Sequence, residues 1–251
     1  MANKKAQKKK PARPALGEQT QSYVEQSRRP ALSILVCLPL VVLYQIGIVQ
    51  AGSGTRNIAE IWMTGPLSRM GMNTATLVNV MVLAALLYGL YEAHKTGGFY
   101  LGFMGIMLME ALIYALLLFS GVSVAAHAVE RAVHRFLFIQ GMSGNTLLLS
   151  LGAGVYEELL FRLILVGGGA LLLQKVFLWD KLNSSAAMLV FSSLLFSAAH
   201  HVGPCGESFT AFAFIFRAIC GAALGVLFLT RGLGIAVWTH AIYNVLVLVT
   251  T

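Results

Sequence analysis

Apolar residues in this chain fall in long runs with few charges inside them, not in strict alternation. Each run is close to the roughly 20 residues that a helix needs to cross a hydrocarbon layer. The first extends from about Ala31 to Val49, the second from Thr74 to Tyr91, and the third from Phe99 to Val122. Four more follow: Thr146 to about Leu173, Ser184 to about His201, Phe209 to Leu229, and Leu233 to Val249. The pattern predicts an all-α, polytopic transmembrane helical bundle of about seven spans. The first run is too long for the apolar region of a cleaved signal peptide, about 7 to 15 residues, and reads as an anchor kinked at Pro39.

Two stretches depart from this pattern. Residues 51 to 73 read as a Gly-rich connection of mixed charge. From Val124 to Gln140, helical spacing gathers Glu130, Arg131, His134 and Arg135, which predicts an interfacial amphipathic helix. His127 and His134 lie seven apart on one face of it, but no carboxylate or Cys completes a metal site, so head-group contact is the expectation.

Composition agrees with a lipid-embedded chain. Of 251 residues, 57% are hydrophobic and 11% charged, against roughly 25% charged in a soluble domain, too few to clothe a water-exposed surface. The net charge of +8 is concentrated at the amino terminus, where residues 1 to 29 hold eight Lys and Arg against Glu18 and Glu25. Such a segment predicts a disordered basic cytoplasmic tail that sets topology and meets lipid head groups, with no nucleic-acid partner, ahead of a bundle spanning 30–251. By the same rule Lys175, Lys181 and Arg231 fall on the cytoplasmic side and the carboxyl terminus on the other. The compact, basic chain reads as a protein of a bacterial plasma (inner) membrane. Cys37, Cys205 and Cys220 are odd in number and imply no disulfide framework.

An ionisable group inside a span costs roughly 2.5 to 3.5 kcal/mol, so those retained need a partner or a task. The fourth span carries Glu157-Glu158-Leu159-Leu160-Phe161-Arg162. In an α-helix Glu158 and Arg162 are i and i+4 neighbours that neutralise each other, while Glu157 points about 100° away and keeps no local partner. A buried carboxylate without a counter-charge suits the work of a general base. Gly152 and Gly154, just before it, would let another helix come close. The fifth span ends Phe196-Ser197-Ala198-Ala199-His200-His201, and the seventh contains His240-Ala241-Ile242-Tyr243-Asn244 with His240 and Asn244 on one face. Glu110 and Arg217, in the third and sixth spans, have opposite signs and suggest a structural pair.

A lone His or Asn in a span more often ties helices together than does chemistry. Peptide hydrolysis, however, needs an activated water, a proton shuttle and an oxyanion site, and Glu, His and His with Asn provide all three. Neither a Gly-x-Ser-x-Gly elbow around Ser197 nor a His-Glu-x-x-His zinc helix competes.

Glu-Glu-x-x-x-Arg, Phe-x-x-x-His and His-x-x-x-Asn, in that order on three spans, resemble the motifs of the CPBP intramembrane proteases, which include the type II CAAX prenyl endopeptidases and the bacterial Abi-like proteins. The resemblance covers roughly residues 100 to 250, the expected catalytic core. It implies an intramembrane glutamate-dependent endopeptidase acting on a membrane-associated peptide or protein. Glu157 and His200 would activate water, and His240 and Asn244 would stabilise the oxyanion. Glu158 and Arg162 match the remaining motif positions and take a supporting role. The family is read as metal-free, so no cofactor is expected. The alternative is a divalent metal such as zinc on Glu157, His200 and His240. Two other functions stay open: a non-catalytic scaffold or immunity protein of the same fold, and a proton or cation path through the bundle, which inverted repeats would favour and which are not found.

Overall fold

The computed structural model describes residues 16–51, 56–95, 101–128, 147, 150–202 and 206–250. Among them the chain is helical throughout. A short helix α1 (Leu16–Ser27) precedes α2 (Pro30–Ala51), α3 (Ile58–Arg69), α4 (Thr74–Lys95) and α5 (Leu101–Ala128). A π-helix, π1 (Ala153–Gly168), runs on into α6 (Gly169–Val176), followed by α7 (Lys181–Ala199), α8 (Ala211–Arg231) and α9 (Leu233–Thr250). Five helices are long and apolar enough to cross a membrane: Pro30–Val49, Gly102–Gly121, Ser150–Val176, Lys181–Ala199 and Ala211–Arg231. Two shorter apolar helices, Thr76–Glu92 and Leu233–Val249, occupy the positions of the second and seventh expected spans. The expected all-α bundle of about seven spans is therefore what the chain forms. Its outer surface is apolar, with Leu83, Leu87, Leu117, Val190, Phe191 and Ile219 all exposed, as suits a molecule whose solvent is lipid.

α9 is the central post. It packs on α5, π1, α8 and α2, and its Ile235, Ala236, Val237 and Ala241 are almost wholly buried. Close approach is bought with glycine. A β-carbon on Gly234 would lie 2.7 Å from Val36 and 3.1 Å from the Ser33 backbone. One on Gly152 would fall inside the Tyr44 ring, at 2.3 Å. The sequence expectation that Gly152 and Gly154 serve close packing is met in both cases.

Three expectations need correction. Residues 16–27 of the expected disordered tail form α1, because Tyr23 finds a partner: its hydroxyl donates to Glu110 Oε2 at 2.5 Å. Residues 1–15 lie outside the described residues. Glu110 does not pair with Arg217. It receives Arg231 through two bonds of 2.5 and 2.7 Å, while Arg217 bonds Glu207 at 2.6 Å. The forked guanidinium at the end of α8 reaches Glu110, and the charge expected to mark topology there is a structural ion pair. Finally, the connection at 51–73 contains α3, begun by Asn57, whose Oδ1 accepts the Ala59 N–H at 2.8 Å. Of the expected amphipathic helix, residues 124–128 continue α5; residues 129–140, with His134, lie outside the described residues, as does Cys205. Cys37 and Cys220 are free thiols.

Candidate active site

π1 carries the paired glutamates. Windings with i→i+5 bonds are rare beyond a single turn and concentrate at functional sites, and this one runs for 16 residues. Its wider turn separates consecutive residues by less than the 100° of an α-helix. Glu157 and Glu158, expected about 100° apart, are both buried, because other helices pack against both directions. The Gly167-Gly168-Gly169 run does not break the helix: Gly168 and Gly169 keep helical dihedrals, and the winding tightens there from π to α.

The sequence leaves a mismatch of depth, with Glu157 near the middle of its span and His200 at the end of its own. A helical hairpin removes it. π1 and α6 lead up to a turn capped by Asp180, which accepts the Asn183 N–H at 3.0 Å, and α7 returns against them. Glu157 precedes that turn by nearly as many residues as His200 follows it, and the two lie within electrostatic reach of each other.

His240 connects the pair. Its Nδ1 donates to Glu158 Oε1 at 2.7 Å, and its Nε2 lies 3.9 Å from Glu157 Oε2. Glu158 also pairs with Arg162 at 3.2 Å, the i,i+4 contact expected from the sequence. Arg162, only 1% exposed, is further held by the Gly221 carbonyl at 3.1 Å and lies over the Phe196 ring, 4.5 Å from its centre. Glycine at 221 allows this, since a β-carbon there would stand 3.1 Å from Phe196.

His200 caps α7. Its Nδ1 is 2.8 Å from the Phe196 carbonyl, which can only accept, so Nδ1 carries the hydrogen and Nε2 is the basic nitrogen of the neutral ring. The ring stacks edge-on against Phe196 at 4.8 Å and lies within electrostatic reach of Glu157 and His240. Phe196 thus touches Arg162, His200 and, at 6.0 Å, His240. Asn244 follows His240 by one turn of α9, half-buried, and its amide makes no hydrogen bond among the described residues. Ser197 plays a structural part, its hydroxyl donating to the Phe214 carbonyl at 2.7 Å.

Sequence reasoning missed the contribution of α2 and α3. Asn57 Nδ2 donates to Glu157 Oε1 at 3.3 Å, so Glu157 is not without a partner; Oε2 alone accepts no hydrogen bond. Behind Asn57 stand Tyr44, which donates to Glu60 Oε2 at 2.6 Å, and Arg56, which pairs with Glu60. The signal was present as Asn57-x-x-Glu60, the spacing of a helix cap and its third residue. An apolar cavity of about 400 Å³ opens on the adjacent face of π1, beside Val155, Tyr156 and Leu159, and none of the four ionisable groups Glu157, Glu158, His200 and His240 lines it. Among the described residues, no three of His, Cys, Asp and Glu are grouped to hold a metal ion.

The arrangement is a buried glutamate pair with one imidazole between the two carboxylates and a second close by, inside a bundle of membrane-length helices. Residues 140–246 match the family model described as Type II CAAX prenyl endopeptidase Rce1-like. This segment, which contains all three motifs, is similar to that family of proteases. No curated protein and no solved structure matches the chain.

Proposed function

We propose that the chain is an intramembrane glutamate-dependent endopeptidase that hydrolyses a peptide bond in a membrane-associated protein or peptide. The observation that carries this reading is the bridging of Glu157 and Glu158 by His240. Glu157 Oε2 takes a proton from water while His200 Nε2 accepts the other hydrogen and orients it. The oxygen attacks the scissile carbonyl carbon. The oxyanion that forms receives the Nε2–H of His240 and the amide of Asn244. For that, His240 must hold protons on both nitrogens, with Nδ1–H on the Glu158 carboxylate and Nε2–H on the oxyanion. The carbon–nitrogen bond then breaks as the proton on Glu157 passes to the leaving amine. Arg162 holds the other oxygen of Glu158.

The reaction in this reading needs no cofactor. The test is cleavage of a peptide library with a prenylated member by the purified full chain, compared with Glu157→Ala and repeated with a chelator. Cleavage lost in the variant and indifferent to chelator supports the reading. Loss with chelator favours a metal on Glu157, His200 and His240, and no cleavage by the parent favours a non-catalytic scaffold.

A further inference from the structure

Asn57 lies outside the segment matched by the family, on a helix that the motifs do not include, and yet it is the one residue that hydrogen-bonds Glu157 among the described residues. Its amide is held from several sides. Oδ1 accepts the Ala59 N–H at 2.8 Å, which identifies the atom facing Glu157 as the Nδ2 donor. The Asn57 backbone N–H donates to the Tyr44 hydroxyl at 2.8 Å, and that hydroxyl donates in turn to Glu60 Oε2 at 2.6 Å. Glu60 is wholly buried and pairs with Arg56. Tyr44 is wholly buried too, locked against Gly152 on the turn of helix just before Glu157.

The two oxygens of Glu157 are thereby made unequal. Oε1 is engaged by Asn57, and Oε2, buried and accepting no hydrogen bond, is the one turned toward His240 Nε2. From this geometry we infer that Asn57 is a positioning residue for the general base, with Tyr44, Glu60 and Arg56 as its mount: it fixes the Glu157 carboxylate so that Oε2 alone is presented to water. The inference rests on the proposed role of Glu157. It assigns the amino-terminal half of the bundle a part in the chemistry beyond membrane anchoring.

The experiment uses the full chain in detergent and four variants: Asn57→Asp, Asn57→Ser, Glu157→Gln and the double variant Asn57→Asp with Glu157→Gln. Asp and Ser both retain a side-chain oxygen for the α3 cap, so the chain still folds; Asp has no donor, and the Ser hydroxyl, one bond shorter than the Asn57 amide, is held at the cap and falls short of Glu157. Asn57→Asp sets one carboxylate against another and lowers Tm. In the double variant the Gln amide donates to Asp, the bond returns with its polarity reversed, and Tm recovers to that of Glu157→Gln alone. Asn57→Ser lowers kcat on the order of 10²-fold, as a misplaced catalytic group does, with KM unchanged. Additive Tm changes in the cycle, or a Ser variant that loses only folded fraction or KM, overturn the inference. A parent that cleaves nothing overturns the catalytic reading and the positioning role with it, while the Tm cycle still reports the bond itself.

Discussion

Gly154 and Ala241 lie backbone against backbone: a β-carbon on Gly154 would stand 2.6 Å from the Ala241 Cβ and 2.9 Å from its Cα and amide nitrogen. That contact is flanked by Glu157 and Glu158 on one helix and His240 on the other, so the spacing of π1 and α9 sets the reach of His240. Gly154→Ala forces the helices apart at a cost of about 1–3 kcal/mol, typical of overpacking. Because the His240–Glu158 bond is the next contact along, activity falls further than Tm alone accounts for. Adding Ala241→Gly relieves the Cβ contact but not the backbone ones, and restores stability only in part. Thermal melts and initial rates of the two variants check this.

Glu158 faces both His240 and Arg162, and Arg162 is nearly inaccessible. Glu158→Gln leaves a buried guanidinium without its counter-charge, which costs about 3–5 kcal/mol. Changing both residues, Glu158→Gln with Arg162→Met, removes the stranded charge and returns much of the stability. Activity does not return, since His240 has lost the carboxylate on Nδ1. A denaturant or thermal series paired with rate measurements separates the two effects.

His200 contacts the fold mainly through Phe196, by one carbonyl bond and one ring face. His200→Gln is expected to reduce kcat by about 10²–10⁴-fold, the usual contribution of acid–base catalysis, with little change in Tm. A loss confined to Tm would remove His200 from the mechanism.

Tyr23 provides a pH signature remote from the site. Half-buried on α1 and bonded to Glu110, its phenol is pushed above the usual tyrosine range, first by burial and then by the Glu110 carboxylate. A folded-state pKa raised above the unfolded one means that the folded state holds its proton longer. The stability it contributes is complete below about pH 10 and declines as pH rises through and beyond that value. Tyr23→Phe should melt lower than the parent near neutrality and lose less Tm between pH 9 and the alkaline limit. Equal alkaline slopes for the two proteins would refute this account.

How much of this was legible in the sequence differs by element. Apolar runs announced all five helices long and apolar enough to cross a membrane and the two shorter apolar ones, because lipid leaves a helix few ways to hide its backbone. The ion pair of Glu158 and Arg162 followed from spacing, and the glycines of π1 from their position before the glutamates. The partner of Glu157 did not, because it comes from Asn57, 100 residues away, and spacing along one helix says nothing of what packs against it. The partner of Glu110 was misjudged for a related reason: two arginines lie on α8, and which one reaches α5 is decided by helix crossing, not by charge. Asn57 went unnoticed because its segment looked like a linker, although its cap spacing was visible.

The ties at the start of the chain bear on how the protein is made. Tyr23 bonds Glu110, Glu110 bonds Arg231, the Arg28 side chain donates to the Leu229 carbonyl at 3.2 Å, and Gly232, at φ 94°, leaves room for the Arg28 backbone. During synthesis, Tyr23 and Arg28 emerge well before the groups that receive them: Glu110 follows Tyr23 by 87 residues, and Leu229 follows Arg28 by 201. α1 cannot complete its ties until α8 has been inserted, so its docking comes late in biogenesis relative to its own synthesis, and a ribosome-stalled chain ending before residue 229 should leave α1 open to protease.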